Sequence, residues 1–235
     1  MPWTFEASDL TDLGSQTGDM TLSVSVTAGD LIVLAAGSYD VDVTLSGVTD
    51  NASGGSNSYT LGTQRTVGSY FNQRMAYATA KGSEALTITC SYASADSTGR
   101  FAAVMVFTPP GSAPETDGVA FGSGEFESGV VVTASDLTTT GDDVICAAFF
   151  GVTVDSNVYS DPEIPAGTNA SEAEGFTSNT NCAFYQILSG SQLTNEEAEV
   201  TIDSTVDWLG EVMAFKSEVS ASDWTTHTHQ TLVFS

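Results

Sequence analysis

Two stretches about 110 residues apart repeat the same order of turn and strand, and an offset that long lies far outside the roughly 20–50-residue period of a solenoid. Residues 23–38 read SVSVTAGDLIVLAAGS and residues 133–151 read TASDLTTTGDDVICAAFFG, each a Thr/Gly/Asp turn running into a short apolar strand. Residues 74–91, RMAYATAKGSEALTITCS, are answered by residues 182–204, CAFYQILSGSQLTNEEAEVTIDS. The blocks then close on FAAVMVFTPP and WLGEVMAFKS. The chain therefore carries two copies of a whole β unit.

Within each copy, period-two alternation and β-branched residues recur between clusters of Gly, Asp, Asn and Ser, and helical periodicity is almost absent. Strands are expected at residues 20–27, 31–36, 41–48, 59–61, 71–78, 85–92 and 101–107, and again at 129–134, 144–152, 182–188, 197–202 and 208–215. Those beginning at Leu31 and Val144 are nearly all apolar, as strands covered on both faces are, whereas LTITCSY alternates as a half-buried strand does. This density predicts an all-β fold of two tandem antiparallel β-sandwich repeats, jelly-roll or immunoglobulin-like, either separate or merged into one large sandwich. The expected organisation is an N-terminal arm (1–20), repeat 1 (21–111), a linker (112–128), repeat 2 (129–217) and a C-terminal arm (218–235). Pro109, Pro110 and Pro114 end strands and mark the join.

The 235 residues, 41% of them hydrophobic, suffice for one large core or two small ones. Thirty acidic against five basic residues leave a formal charge of minus 25, which repels phosphate and so argues against nucleic acid and anionic membranes as partners. Only 15% of residues are charged, which separates the chain from disordered acidic tails. No stretch approaches the ~20 apolar residues of a membrane span, and MPWTFEASDLTDLG has no secretory pattern, so no address to a membrane or to secretion is expected. The charge is uneven: residues 21–111 hold six acids against Arg65, Arg74, Lys81 and Arg100, while residues 112–235 hold twenty against Lys216 alone. A near-neutral first repeat can lie on another protein surface, and an acidic second repeat suits solvent or cations.

Catalytic chemistry finds little to work with. His227 and His229 form an isolated H-x-H on the C-terminal arm, leaving no histidine base for a nucleophilic site in the sandwiches. Cys90, Cys146 and Cys182 lack C-x-x-C spacing and read as buried free thiols. Glu196, Glu197 and Glu199 read as a solvated turn rather than a glycosidase pair. Asp40 with Asp42, Asp142 with Asp143, and Asp155 with Asp161 and Glu163 are loop oxygen donors of the kind a structural calcium takes, without EF-hand spacing. No catalytic residue, resident metal or cofactor is assigned. The terminal segments carry Trp3 and Phe5, and Trp224, Leu232 and Phe234, candidate partner-binding side chains that either add a strand to a neighbour or close the chain's own sheet.

The order AGDLIVLAAGS, GVTDNASGGSNSYTL, YATAKGSEALTITCS and a closing apolar strand resembles β-sandwich modules of tailed-phage or archaeal-virus virion structural proteins. The block from Thr49 to Tyr59 is its most recognisable part, and the second copy has VTVDSNVYSDPEIPAG in its place. The resemblance implies a non-enzymatic virion protein, a capsid (head) decoration that binds other virion proteins such as the major capsid protein. It would attach through repeat 1 or the arms as a homo-oligomer, with acidic repeat 2 exposed. The alternative it implies is a receptor- or carbohydrate-binding tail or spike protein whose ligand is a host-surface glycan.

Overall fold

A computed structural model describes residues 3–69, 71–96, 98–111, 114–127, 131–140, 143–152, 159–163, 171–172, 181–188, 193–202 and 206–217. Every regular element among them is a β-strand. The first half contains β1 (Thr4–Gln16), β2 (Met20–Val26), β3 (Leu31–Ser38), β4 (Leu45–Asp50), β5 (Thr60–Leu61), β6 (Arg65–Val67), β7 (Phe71–Thr79), β8 (Glu84–Tyr92) and β9 (Thr98–Thr108). The second contains β10 (Pro114–Glu127), β11 (Val131–Leu137), β12 (Asp143–Val152), β13 (Tyr159–Glu163), β14 (Ser171–Glu172), β15 (Asn181–Ile187), β16 (Glu196–Ile202) and β17 (Val206–Ser217).

The two halves share one topology. In the first, an inner sheet of order β1-β9-β3-β7-β5 faces an outer sheet β2-β8-β4; in the second, β10-β17-β12-β15-β14 faces β11-β16-β13. The first strand of each unit pairs with the last and the second with the penultimate, the nested antiparallel order of a jelly roll. A bridge between Phe121 and Ser135 joins the inner and outer sheets of the second unit. The closing strands 101–107 and 208–215 do occupy equivalent places, each second in its inner sheet.

Three apolar layers separate four sheets. β3 is buried along its whole length because both its faces are covered. Ile32, Leu34 and Ala36 join Leu22, Ile88 and Cys90 between the two sheets of the first sandwich. Leu31, Val33 and Ala35 instead join Met75, Met105, Phe107, Leu209, Met213 and Phe215 in a layer between the two sandwiches. Ala134, Phe184, Val200, Trp208 and Val212 fill the second sandwich. The units are thus two sandwiches packed back to back on their inner sheets.

That packing is reciprocal. Phe107 and Phe215 are equivalent, pairing with Leu31 and Val144; Tyr77 and Tyr185 are equivalent, pairing with Val33 and Cys146. Tyr77 meets Phe215 edge-on at 5.1 Å, and Tyr185 meets Phe107 edge-on at 5.2 Å. A face that meets its own copy in this way is the isologous contact of a two-fold dimer, here made between the halves of one chain.

The structure moves three expected boundaries. Thr4–Gln16, read as part of an arm, is the edge strand β1 of the first inner sheet, paired with β9 from Thr4↔Thr108 to Gln16↔Thr98. Its acidic residues suit a sheet edge, where charge deters further pairing, and that composition hides it from apolar pattern reading. Pro114–Glu127, read as a linker, is its counterpart β10, paired along β17. Residues 41–43 form a turn instead of the start of a strand, because the Asp40 side chain accepts the Asp42 amide at 2.9 Å and its carbonyl accepts the Val43 amide.

Candidate functional site

The recognisable Thr49–Tyr59 block builds a closed loop. Asp50 receives the amides of Ala52 and Asn57 at 3.1 Å, the Asn57 side-chain amide at 2.7 Å and the Tyr59 hydroxyl at 2.8 Å. Its own amide donates to Ser56 Oγ, and Asn57 Oδ1 accepts the Lys81 amide. Burial raises the Asp50 pKa, but the hydrogen bonds from Tyr59, Ala52 and Asn57 together hold it below the usual carboxylate value. Burial and the neighbouring Asp50 push the Tyr59 hydroxyl well above its ordinary value. With the donors of Ala52, Asn57 and Tyr59 all turned onto Asp50, the block is a latch between β4 and the start of β8.

The other reactive groups are likewise enclosed. Cys90 is a buried free thiol whose pKa is pushed up to about 12 by burial and by Asp19, the opposite of an activated nucleophile. Arg100 is fully buried, donates to the carbonyls of Gly18, Ser94 and Asp96 and lies over the Tyr92 ring at 4.6 Å, holding the turns around β8 and β9. Asp40 is engaged by its turn. His227, His229, Asp142 and Asp155 lie outside the described residues, as do the side chains of Cys146, Cys182 and Asp161. Among the described residues no three His, Cys, Asp or Glu side chains are grouped as metal ligands.

What distinguishes the surface is the contrast between the two outer sheets, which lie at opposite ends of the four-layer stack. On β2-β8-β4 the outward row is hydroxyl-bearing and uncharged: Thr21, Ser23 and Ser25 stand beside Thr89, Thr87 and Ala85, with Thr49 beyond Thr89. A shallow depression of about 240 Å³ runs between Ser23, Ser25, Ala85 and Thr87. The acids at its rim are tied back, Asp9 to the Ser23 amide at 2.6 Å, Asp19 to Ser91 Oγ at 2.9 Å and Glu84 to the Ser53 amide at 2.9 Å. On β11-β16-β13 the corresponding face carries Glu197 and Glu199, with Glu163 opposite Glu199. Partial burial, a hydrogen bond from protonated Glu199 to Glu197 and the charges of Glu197 and Glu163 raise the Glu199 pKa, the mark of carboxylates crowded on one face.

Of the side chains expected to bind a partner, Trp3 is 3% exposed and belongs to the layer between the sandwiches. Phe5 stacks on Tyr185 at 4.6 Å and meets Phe107 edge-on at 5.6 Å. Both therefore close the chain's own fold, and Phe5 binds its second half, because β1 lies on the inner sheet. Trp224, Leu232 and Phe234 lie outside the described residues.

One residue that pattern reading passes over is Glu211, which is fully buried in the same layer. Aligning EVMAF of β17 on AVMVF of β9 places it where the first unit has Ala103, and that exchange of a small apolar residue for an acid is its only trace in sequence. No protein-family model, curated protein or solved structure matches the chain.

Proposed function

We propose that the chain is a non-enzymatic virion structural protein of a tailed virus. It decorates the head, seated on the major capsid protein through the outward β2-β8-β4 face, with the acidic β11-β16-β13 face turned to solvent. The observation that carries this reading is the opposed character of the two outer faces. Charge is depleted at the centres of protein interfaces, so an uncharged hydroxyl face in a chain of minus 25 is where another protein can approach without repulsion. The glutamates at the other end repel their like and keep decorated particles apart. Among the described residues Val119 is the only large hydrophobic side chain that is well exposed, so the dock is polar and wet rather than apolar. At strand spacings of about 4.8 Å and a rise of about 3.3 Å per residue, the face covers only a few hundred Å². That is less than the roughly 800 Å² per partner of a standard interface, so retention relies on many copies or a homo-oligomer acting together.

The test is co-sedimentation of the recombinant chain with purified, undecorated particles, beside S23E/T87E on the hydroxyl face and T201E on the acidic one. Wild type and T201E are expected to pellet with the particles, and S23E/T87E to remain in the supernatant. Equal pelleting by S23E/T87E would remove the hydroxyl face from the contact. Binding to a glycan array in place of particles would favour the tail or spike reading.

A further inference from the structure

The layer between the two sandwiches is mostly apolar, and the buried Glu211 and Gln73 and the partly buried Arg65 are polar side chains on the faces turned into it. Glu211, from the middle of β17, projects into it between Leu209 and Met213 and lies against β6 and β7. Its Oε2 accepts the Met75 amide at 2.9 Å, just past the point where β5 ends and Gly62 takes the Met75 carbonyl, so the acid closes an edge amide of the opposite sandwich. Its Oε1 has no hydrogen-bond partner and is buried. The cations facing it are Arg65 of β6, whose guanidinium lies over the Phe121 ring at 4.6 Å, and Arg74 of β7, which donates to the Gly62 and Leu45 carbonyls. Neither forms an ion pair with it. Its strand neighbours on β10 and β12 are Phe121 and Ala148, and the other titratable groups packed on the layer, among the described side chains, are the phenols of Tyr39, Tyr77 and Tyr185.

We propose that this layer is a pH-responsive joint, closed while Glu211 is protonated and loosened when it ionises, so that the two sandwiches separate more readily. A carboxylate with one oxygen unpaired has lost its water and gained only one amide, whereas the neutral acid leaves the aromatic exchange around Tyr77 and Tyr185 undisturbed. Burial lifts Glu211 to about 7, against the opposing pull of the Met75 amide and the charges of Arg65 and Arg74. The sign follows: the closed form holds the proton more tightly than the open form, whose value is the ordinary 4.5. Closure is thus fully supported below 4.5, weakens as pH rises, and changes little above about 7. In repeat 1 the equivalent position is Ala103, which cannot titrate, so the joint has a single trigger.

The test is native-state hydrogen exchange of the Met75 amide and its neighbours in β7 and β17, corrected for intrinsic base catalysis, on the full chain in 0.5 M salt to screen the overall charge. The opening constant of the wild type is expected to rise up to about tenfold per pH unit between pH 5 and 7 and then level off. It should be flat in both E211Q and E211A, the latter restoring the residue of repeat 1. A wild-type opening constant that does not change over this range overturns the joint. So does a rise that persists in either variant. If a variant fails to fold, the wild-type profile decides, and cleavage of the 109–113 connection by a protease at pH 8 no faster than at pH 5 would equally overturn it.

Discussion

Asp50 gathers four donors on two oxygens, and its removal leaves groups of the buried Asn57 and the partly buried Tyr59 without an acceptor. D50A is expected to cost about 1–3 kcal/mol by chemical denaturation, and Y59F about 1 kcal/mol. Because the folded pKa of Asp50 is lowered from 3.8, its stabilisation is complete above that value and is lost as pH falls through the lower folded one. A D50N variant should therefore show a shallower acid limb below pH 4 than wild type, and a parallel limb would show that the latch contributes nothing. Cys90 lies where the alternation of LTITCSY puts it, on the inward face, with its thiol held neutral. Peptide mapping after alkylation at pH 8 should find Cys90 unmodified in the native chain and modified once it is unfolded. Glu211 was beyond reach of the same pattern, since an acid inside an apolar strand reads as a solvent-facing residue until the opposing sheet is seen to cover it.

At the scale of strands, all twelve expected segments carry a strand, because their β-branched runs and bounding turns act locally. Five strands escaped for a shared reason. β1, β6, β10, β13 and β14 are short, acidic or glycine-bearing, and they pair because a long neighbour offers them a ladder rather than because their own residues prefer one. The back-to-back arrangement escaped too, although the all-apolar β3 already implied covered faces on both sides. What the duplication did not disclose is that the second cover is the other copy. The N-terminal strand now has a definite energetic role. W3A should cost about 3–5 kcal/mol, the range of a buried aromatic truncated to alanine, and should not act by weakening attachment to a partner. A double-mutant cycle of F5A with Y185A should give a coupling of about 0.5–1.5 kcal/mol across the layer. Strict additivity would mean that β1 does not pack on the second sandwich.

Taken as a whole, the molecule is a stack whose charge rises from one end to the other. From residue 4 to residue 108 there are ten acids against four bases, and from 114 to 217 eighteen acids against Lys216, which Asp117 holds at 3.2 Å. Self-repulsion in the second unit should be relieved by salt, over a screening length of about 10 Å at 0.1 M. The melting temperature should accordingly rise between low and high sodium chloride, and a constant or falling value would show that the crowded glutamates are stabilised by something other than distance. The same polarity underlies the proposed attachment, in which the uncharged hydroxyl face meets the shell and the acidic face looks outward. Electron cryomicroscopy of the intact decorated particle, with this chain located in the density, tests that claim most directly. The account predicts the β2-β8-β4 sheet against the capsid surface with Glu197 and Glu199 at the greatest radius; a chain seated on its acidic sheet, or found only on the tail, would contradict it.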